Sequence, residues 1–259
     1  MVATMHGFNN RKNNANFVFV FYWYAMAGRL YLIPSPLGET EIAEVIPASV
    51  VERINSLKLF FAEELRTVRR YLSKAGLKGK IDTLQLYELN EHTTETAIEG
   101  YISLLLNGED AAIISEAGLP AVADPGAKLV ELAHKNDIKV IPMSGPSSLM
   151  MALMASGLNG QCFAFTGYLP VKGDERKAKL KTIERVSAQL RQSQIIIETP
   201  YRNETLFKDI LDTCSPCTRL TVAADITTPS EFIKTKSVGE WKKWGEAIGK
   251  RPCVFIILA

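Results

Sequence analysis

The sequence predicts an α/β fold, and three observations carry that expectation. Residues 111–158 run strand, helix, strand, helix. An apolar stretch Ala111 to Ile114 is followed by helix-period residues Leu129, Val130, Leu132 and Ala133. A short strand Lys139 to Met143 comes next, then the turn Ser144-Gly145-Pro146-Ser147-Ser148 and another apolar helix. That alternation is a parallel βαβα unit. The turn residues Gly118, Gly126 and Gly145 follow or flank the carboxyl ends of predicted strands, where open α/β sheets bind ligands. Finally, 259 residues with 47% apolar and 22% charged side chains suit one large or two small globular domains.

Taken in order, residues 1–28 stand apart. They are polar and Asn-rich up to residue 16. An 11-residue apolar run over 17–27 follows, too short for a spanning helix. The basic start and Ala25-Met26-Ala27 imitate a signal peptide. The competing expectation, which we prefer, is an extension upstream of a working start at Met26, with the protein in the cytoplasm. From Arg29 the pattern is regular. Strands are predicted at RLYLIPS (29–35, running into the Pro34 to Gly38 turn), Lys58 to Ala62, Thr83 to Tyr87, Gln161 to Phe165, Ile195 to Ile197, Arg219 to Ala224, near Phe232 to Lys236 and at Cys253 to Leu258. Helices are predicted over 47–56, 65–75, 93–106 and 172–191, after Arg202 to about Thr213, and from Glu240, with Pro47 suited to a first turn and Gly76 to a stop. The break between an N-terminal domain (29–160) and a C-terminal domain (161–259) is placed near 158–168.

Charge is uneven. Residues 1–130 carry 12 Lys/Arg against 15 Asp/Glu, and residues 131–259 carry 18 against 13. The helix at 172–191 holds seven of these cations, so it is either a solvated face or an RNA-contact face. Four scattered cysteines do not make a disulfide framework. Cys214-x-x-Cys217 lacks the second pair or the nearby histidines of a zinc site, so no metal is expected. There is no phosphate-binding G-x-x-x-x-G-K-[ST] loop, no G-x-G-x-x-G and no G-x-S-x-G elbow. What remains is Gly/Pro/Ser turns and strand-end carboxylates at Glu63, Glu64, Glu116, Asp124 and Glu198. This chemistry suits a nucleoside-like cofactor and catalysis by positioning.

Six stretches, in order, then carry a resemblance: IPSPLG (33–38), AEELR (62–66), SEAGLPAVADPG (115–126), MSGPSS (143–148) with SGL (156–158), GYLP (167–170) and IETPYR (197–202). Together they make residues 29–259 similar to the tetrapyrrole methylase family of S-adenosylmethionine-dependent methyltransferases. The resemblance is nearest to the branch that methylates a ribose 2′-hydroxyl of a 16S ribosomal RNA cytidine in the small ribosomal subunit. The chain departs from the family pattern at Gly38-Glu39-Thr40, Glu63-Glu64-Leu65-Arg66, Glu116, Tyr201 and the 223–228 stretch.

The resemblance implies a homodimer with no membrane partner. Each chain has a parallel-sheet N-terminal domain and a mixed-sheet C-terminal domain, with S-adenosylmethionine in the cleft between them. By position, the cofactor would meet Ser115, Glu116, Ala117, Gly118, Ala121, Ser147, Ser148, Glu198, Asp225 and Ile226, with Pro36 to Gly38 on the methyl side. A 2′-hydroxyl needs its proton removed as it attacks. Glu64 is the first candidate for that base and Glu198 the second, although a salt bridge to Arg66 or Arg69 accounts at least as well for either. A tetrapyrrole or other small-molecule acceptor, and a non-catalytic binder, are the alternatives.

Overall fold

The computed structural model describes residues 27–259, so the extension read over 1–28 lies outside the described residues except for its last two positions. The chain packs as two compact units. One comprises residues 27–33 with Glu52–Glu116 and Pro120–Met143. The other comprises Pro34–Val51, Ala117–Leu119 and Ser144–Ala259.

The first unit is built on strands β1 (Arg29–Ile33), β2 (Leu59–Ala62), β3 (Gln85–Glu88), β4 (Ala111–Ile114) and β5 (Lys139–Pro142). They form a sheet in the order β3-β2-β4-β1-β5, and every pairing is parallel. All residues of β2 (LFFA) and β4 (AAII) are buried, the expected fate of unbroken apolar strands in the middle of a parallel sheet. The helices Glu95–Leu106 and Ala127–Lys135 supply Ile98, Ile102, Leu105, Leu129 and Ala133 to a core with Leu30, Leu59, Phe61 and Ile113. Registers Ile33↔Ile114 and Ala62↔Ile114 level the carboxyl ends of the three central strands. The residues after β2 and β4 therefore emerge side by side.

The second unit has β6 (Phe163–Gly167), β7 (Ser193–Glu198), β8 (Arg219–Ala224), β9 (Phe232–Ser237) and β10 (Cys253–Leu258) in the order β6-β7-β10-β8-β9. The β6–β7 pair is parallel and the others are antiparallel, so the sheet is mixed. β10 alternates between two cores. Cys253, Phe255 and Ile257 face the helices Gly173–Leu190 and Asn203–Thr213, while Val254 and Ile256 face the helix Ser148–Ser156.

Some boundaries differ from the expectation. The helix expected over 65–75 ends at Leu72 and continues as a wide turn over Ser73–Leu77, where Gly76 takes a φ of 106°. The helix expected from Glu240 is a single turn, Val238–Trp241, opened by a reciprocal Ser237/Glu240 cap. A short helix, Ile42–Val45, was not foreseen. Packing also assigns Ser148–Ser156 to the second sheet, whereas the sequence reading draws its boundary after that helix.

Candidate functional site

In the second unit, four loops converge. The Ser35 N–H donates to the Gly118 carbonyl (2.8 Å) and the Gly118 N–H donates back to Ser35 (3.1 Å), clamping two glycine-bearing turns together. Gly118 holds a φ of +74°, a conformation most L residues resist. A Cβ on Gly38 would sit 2.6 Å from Thr228 Cγ2, so that loop meets the one after β8 with no room for a side chain. Any side chain on Gly145 would overlap the Pro34 ring. Ser147 caps the helix Ser148–Ser156, its Oγ accepting the Met150 N–H at 3.4 Å. Ile226 is buried in one apolar cluster with Leu37, Leu149 and Leu153. Pro36, Gly38, Ala117, Gly118, Ser147, Ser148 and Ile226 are thereby gathered.

The same unit brings Glu198 and Asp225 to one end of its sheet. Register pairs Cys253 with Glu198 on one side and with Ala224 on the other. Glu198 Oε1 accepts the Thr199 N–H (2.8 Å) and Arg202 Nε and NH2 (2.9 and 2.6 Å). Its Oε2 is buried with no hydrogen-bond partner, a costly arrangement that native structures seldom keep. Asp225 sits at φ 49°, held by Ser230 Oγ (3.0 Å) and by Arg251 (3.1 Å). Thr227 is stranger, a β-branched residue at φ 71° whose hydroxyl is buried and unpartnered. Such a conformation costs roughly 1–2 kcal/mol.

The first unit carries three further carboxylates, Glu63, Glu116 and Asp124. Glu63 follows β2, and its Oε2 accepts the Glu116 N–H at 3.1 Å. Asp124 is pushed up to about 7, first by burial and then by the charge of Glu63, while a hydrogen bond from Ser115 pulls the other way. Glu116 is raised as well, by burial and then by Glu63 and Glu64. Ala121 and Ala123 are both held at positive φ (65° and 63°), so the turn leading to Asp124 is strained. Ser115, Glu116 and Ala121 thus belong to this carboxylate group.

Glu64 needs correcting. Both its carboxylate oxygens are occupied, accepting the N–H groups of Arg66 (2.9 Å) and Thr67 (2.6 Å) at the start of the helix Leu65–Leu72. A hydrogen bond from the Thr67 side chain, together with these backbone bonds, lowers its pKa, which disfavours a role as base. It is a helix cap rather than a salt-bridge partner of Arg66 or Arg69. Sequence reasoning passed over three residues. Asp124 was noted as a strand-end carboxylate but left out of the site. Thr227 and Thr228 were read only as a departure from pattern. The Asp-Pro-Gly turn is a usable signal for the first, but nothing in the sequence signals the backbone strain at Thr227 or the close approach of Thr228 to Gly38. Among the described residues, no group of His, Cys, Asp and Glu is arranged to hold a metal, and all four cysteines are free thiols.

A parallel-sheet unit and a mixed-sheet unit, with Gly/Ser turns and carboxylates at strand ends, define a class of cofactor-dependent transferase. The family model of the Tetrapyrrole (Corrin/Porphyrin) Methylases matches residues 29–241; the chain belongs to that family and is an S-adenosylmethionine-dependent methyltransferase. Among its relatives is the ribosomal RNA small subunit methyltransferase I of Neisseria meningitidis serogroup A, 32% identical over 215 residues, 83% of this chain and 69% of the relative. The protein of that name from Escherichia coli O157:H7 is 30% identical over 217 residues, 84% of this chain and 72% of the relative. Of solved structures, diphthine synthase shares the fold with a TM-score of 0.64 at 13% identity, covering 90% of each chain. The Thermus thermophilus uroporphyrin-III C-methyltransferase complexed with S-adenyl homocysteine gives 0.56 at 18% identity, covering 89% of this chain and 97% of that one.

Proposed function

We propose that the methyl acceptor is a ribose 2′-hydroxyl of a cytidine in 16S ribosomal RNA of the small subunit. The observation that carries this is the run of relatives named ribosomal RNA small subunit methyltransferase I, matching 83% or 84% of the chain at 29–32% identity. The same reading takes the protein as a cytoplasmic homodimer, which sedimentation equilibrium tests. Among the described residues no helix is long and apolar enough to cross a membrane.

S-Adenosylmethionine, when bound, supplies a methyl group on a sulfonium sulfur. The residues that the family resemblance implies, Pro36, Gly38, Ser115, Glu116, Ala117, Gly118, Ala121, Ser147, Ser148, Asp225 and Ile226, are proposed to hold it. The buried, unpartnered oxygens of Glu198 and Thr227 support the fit, since a ligand rich in N–H and O–H donors would satisfy them. The remaining first-turn N–H groups of the helix Ser148–Ser156, beside the one that Ser147 caps, suit a carboxylate.

A neutral hydroxyl is a weak nucleophile until its proton leaves. Glu64 is spent on its cap, and Glu198 Oε1 is committed to Arg202. We assign the proton to a carboxylate oxygen of Asp124, whose value of about 7 suits a base working near neutrality. Ser115 orients that carboxylate. A tetrapyrrole or other small molecule is the second reading, favoured by the family description alone. Mass mapping of 16S rRNA from cells with and without the protein separates the two. The expected outcome is loss of one 2′-O-methyl mark, restored by wild type and not by Asp124→Asn. An unchanged profile removes the RNA acceptor.

A further inference from the structure

Away from these loops, the second unit carries a surface band in which rings and cations alternate. Phe232, Lys234 and Lys236 occupy every second position of β9 and so share one face of an outer strand. Lys234 Nζ lies 4.0 Å from the centroid of the Trp244 ring and 5.6 Å from that of Phe232, and Lys236 Nζ lies 5.3 Å from Trp244. At the other end, the Arg251 guanidinium lies 5.7 Å from the Phe232 ring, and the adjacent Lys250 lies 5.8 Å from the Tyr201 ring. Rings and cations thus recur from Tyr201 to Trp244, the two ends joined through the adjacent residues Lys250 and Arg251.

Two features set it apart from an ordinary solvated surface. Tyr201 is 80% exposed, although its turn is well anchored by the Arg202 N–H to Thr199 carbonyl bond (2.9 Å). Three nearby carboxylates are already engaged. Glu240 accepts from the Ser237 N–H and hydroxyl, Glu231 from the Thr227 N–H, and Asp225 from Ser230 and Arg251. An ammonium resting on a ring face keeps its charge available to an anion. Lys234 and Lys236 recur about 6.7 Å apart along the strand, comparable to successive phosphates of an extended single strand. The helix Gly173–Leu190 makes the weaker case, because Arg176 is buried and Lys172 and Lys177 pair with Glu175 and Asp209.

We propose that this band binds a single-stranded stretch of the substrate RNA, with its lysines on phosphates and Tyr201 stacked on a base. The proposal rests on the RNA acceptor reading above. The test is fluorescence anisotropy of the full chain with a labelled mixed-sequence single-stranded RNA of about 20 nucleotides, repeated across a salt series. The double variant Lys234→Gln/Lys236→Gln is expected to flatten the plot of log affinity against log salt by about 1.4, two phosphates at about 0.7 each. Tyr201→Ala is expected to weaken binding roughly tenfold with the slope unchanged. Lys179→Gln/Lys181→Gln, on the helix Gly173–Leu190, keeps both, and calorimetric binding of S-adenosylhomocysteine is retained by the β9 double variant. If wild type methylates 16S rRNA but the band variants bind RNA as wild type does, the band is wrong and the acceptor reading stands. If wild type neither binds the RNA nor methylates 16S rRNA, both fall. Competition by a poly-glutamate peptide as effective as RNA of equal charge would also overturn the assignment, because it makes no use of the rings.

Discussion

Asp124 takes up a proton on folding. Its folded value of about 7 lies above the ordinary 3.8, so between those two pH values the folded chain binds more protons than the unfolded one. Stability therefore falls as pH rises through that window. Asp124→Asn is expected to remove the slope. Its melting temperature should exceed that of wild type above pH 7 and match it near pH 4, as read by thermal melts in a buffer series. Wild-type methyl transfer should rise through pH 7, and the variant should be inactive throughout. Gly38 offers a second residue-scale test. Gly38→Ala would drive a Cβ against Thr228 Cγ2, and overpacking of this kind costs typically about 1–3 kcal/mol. Calorimetry should show weakened S-adenosylhomocysteine binding, with Thr228→Ser restoring most of it. Neither the titration of Asp124 nor the contact at Gly38 was legible in the sequence. Each depends on atoms brought together from distant parts of the chain.

At the scale of elements, Glu64 belongs to its helix. Its carboxylate closes the first turn of Leu65–Leu72, so Glu64→Ala is expected to cost about 1 kcal/mol in chemical denaturation while methyl transfer is retained. The bonds that hold it lower its pKa, so the contribution is present above its ordinary 4.5 and is lost as pH falls through the folded value. The elements themselves were largely legible. β10 was readable as CVFIIL because a central strand facing two cores is apolar at every position. The turn at Val238–Trp241 was misread as a longer helix. Its sequence, VGEWKKWG, has helical spacing, but Trp241 and Trp244 pack edge-on and the chain turns away.

For the whole molecule, charge matters by position rather than by total. The basic excess after residue 130 pointed to an anionic partner, yet the most conspicuous basic helix yields one of its cations to the interior. Arg176 donates to Asp209 (2.7 Å) and to the carbonyls of Pro170 and Val171 (3.2 and 2.6 Å). Arg176→Ala would leave Asp209 buried with only Lys177 at 3.5 Å, and breaking such a pair costs about 3 kcal/mol. Urea denaturation should show that loss, with RNA affinity unchanged per folded molecule.

The order of strands and helices, the family and hence the cofactor were written in the sequence. They reside in local periodicity and in short turns whose residue types are dictated by backbone geometry close by. Tertiary structure decided which carboxylate titrates near neutrality, which one caps a helix, and which cations lie over rings instead of inside the core. Those properties are set by desolvation and by charges a few ångströms away, supplied by residues remote along the chain.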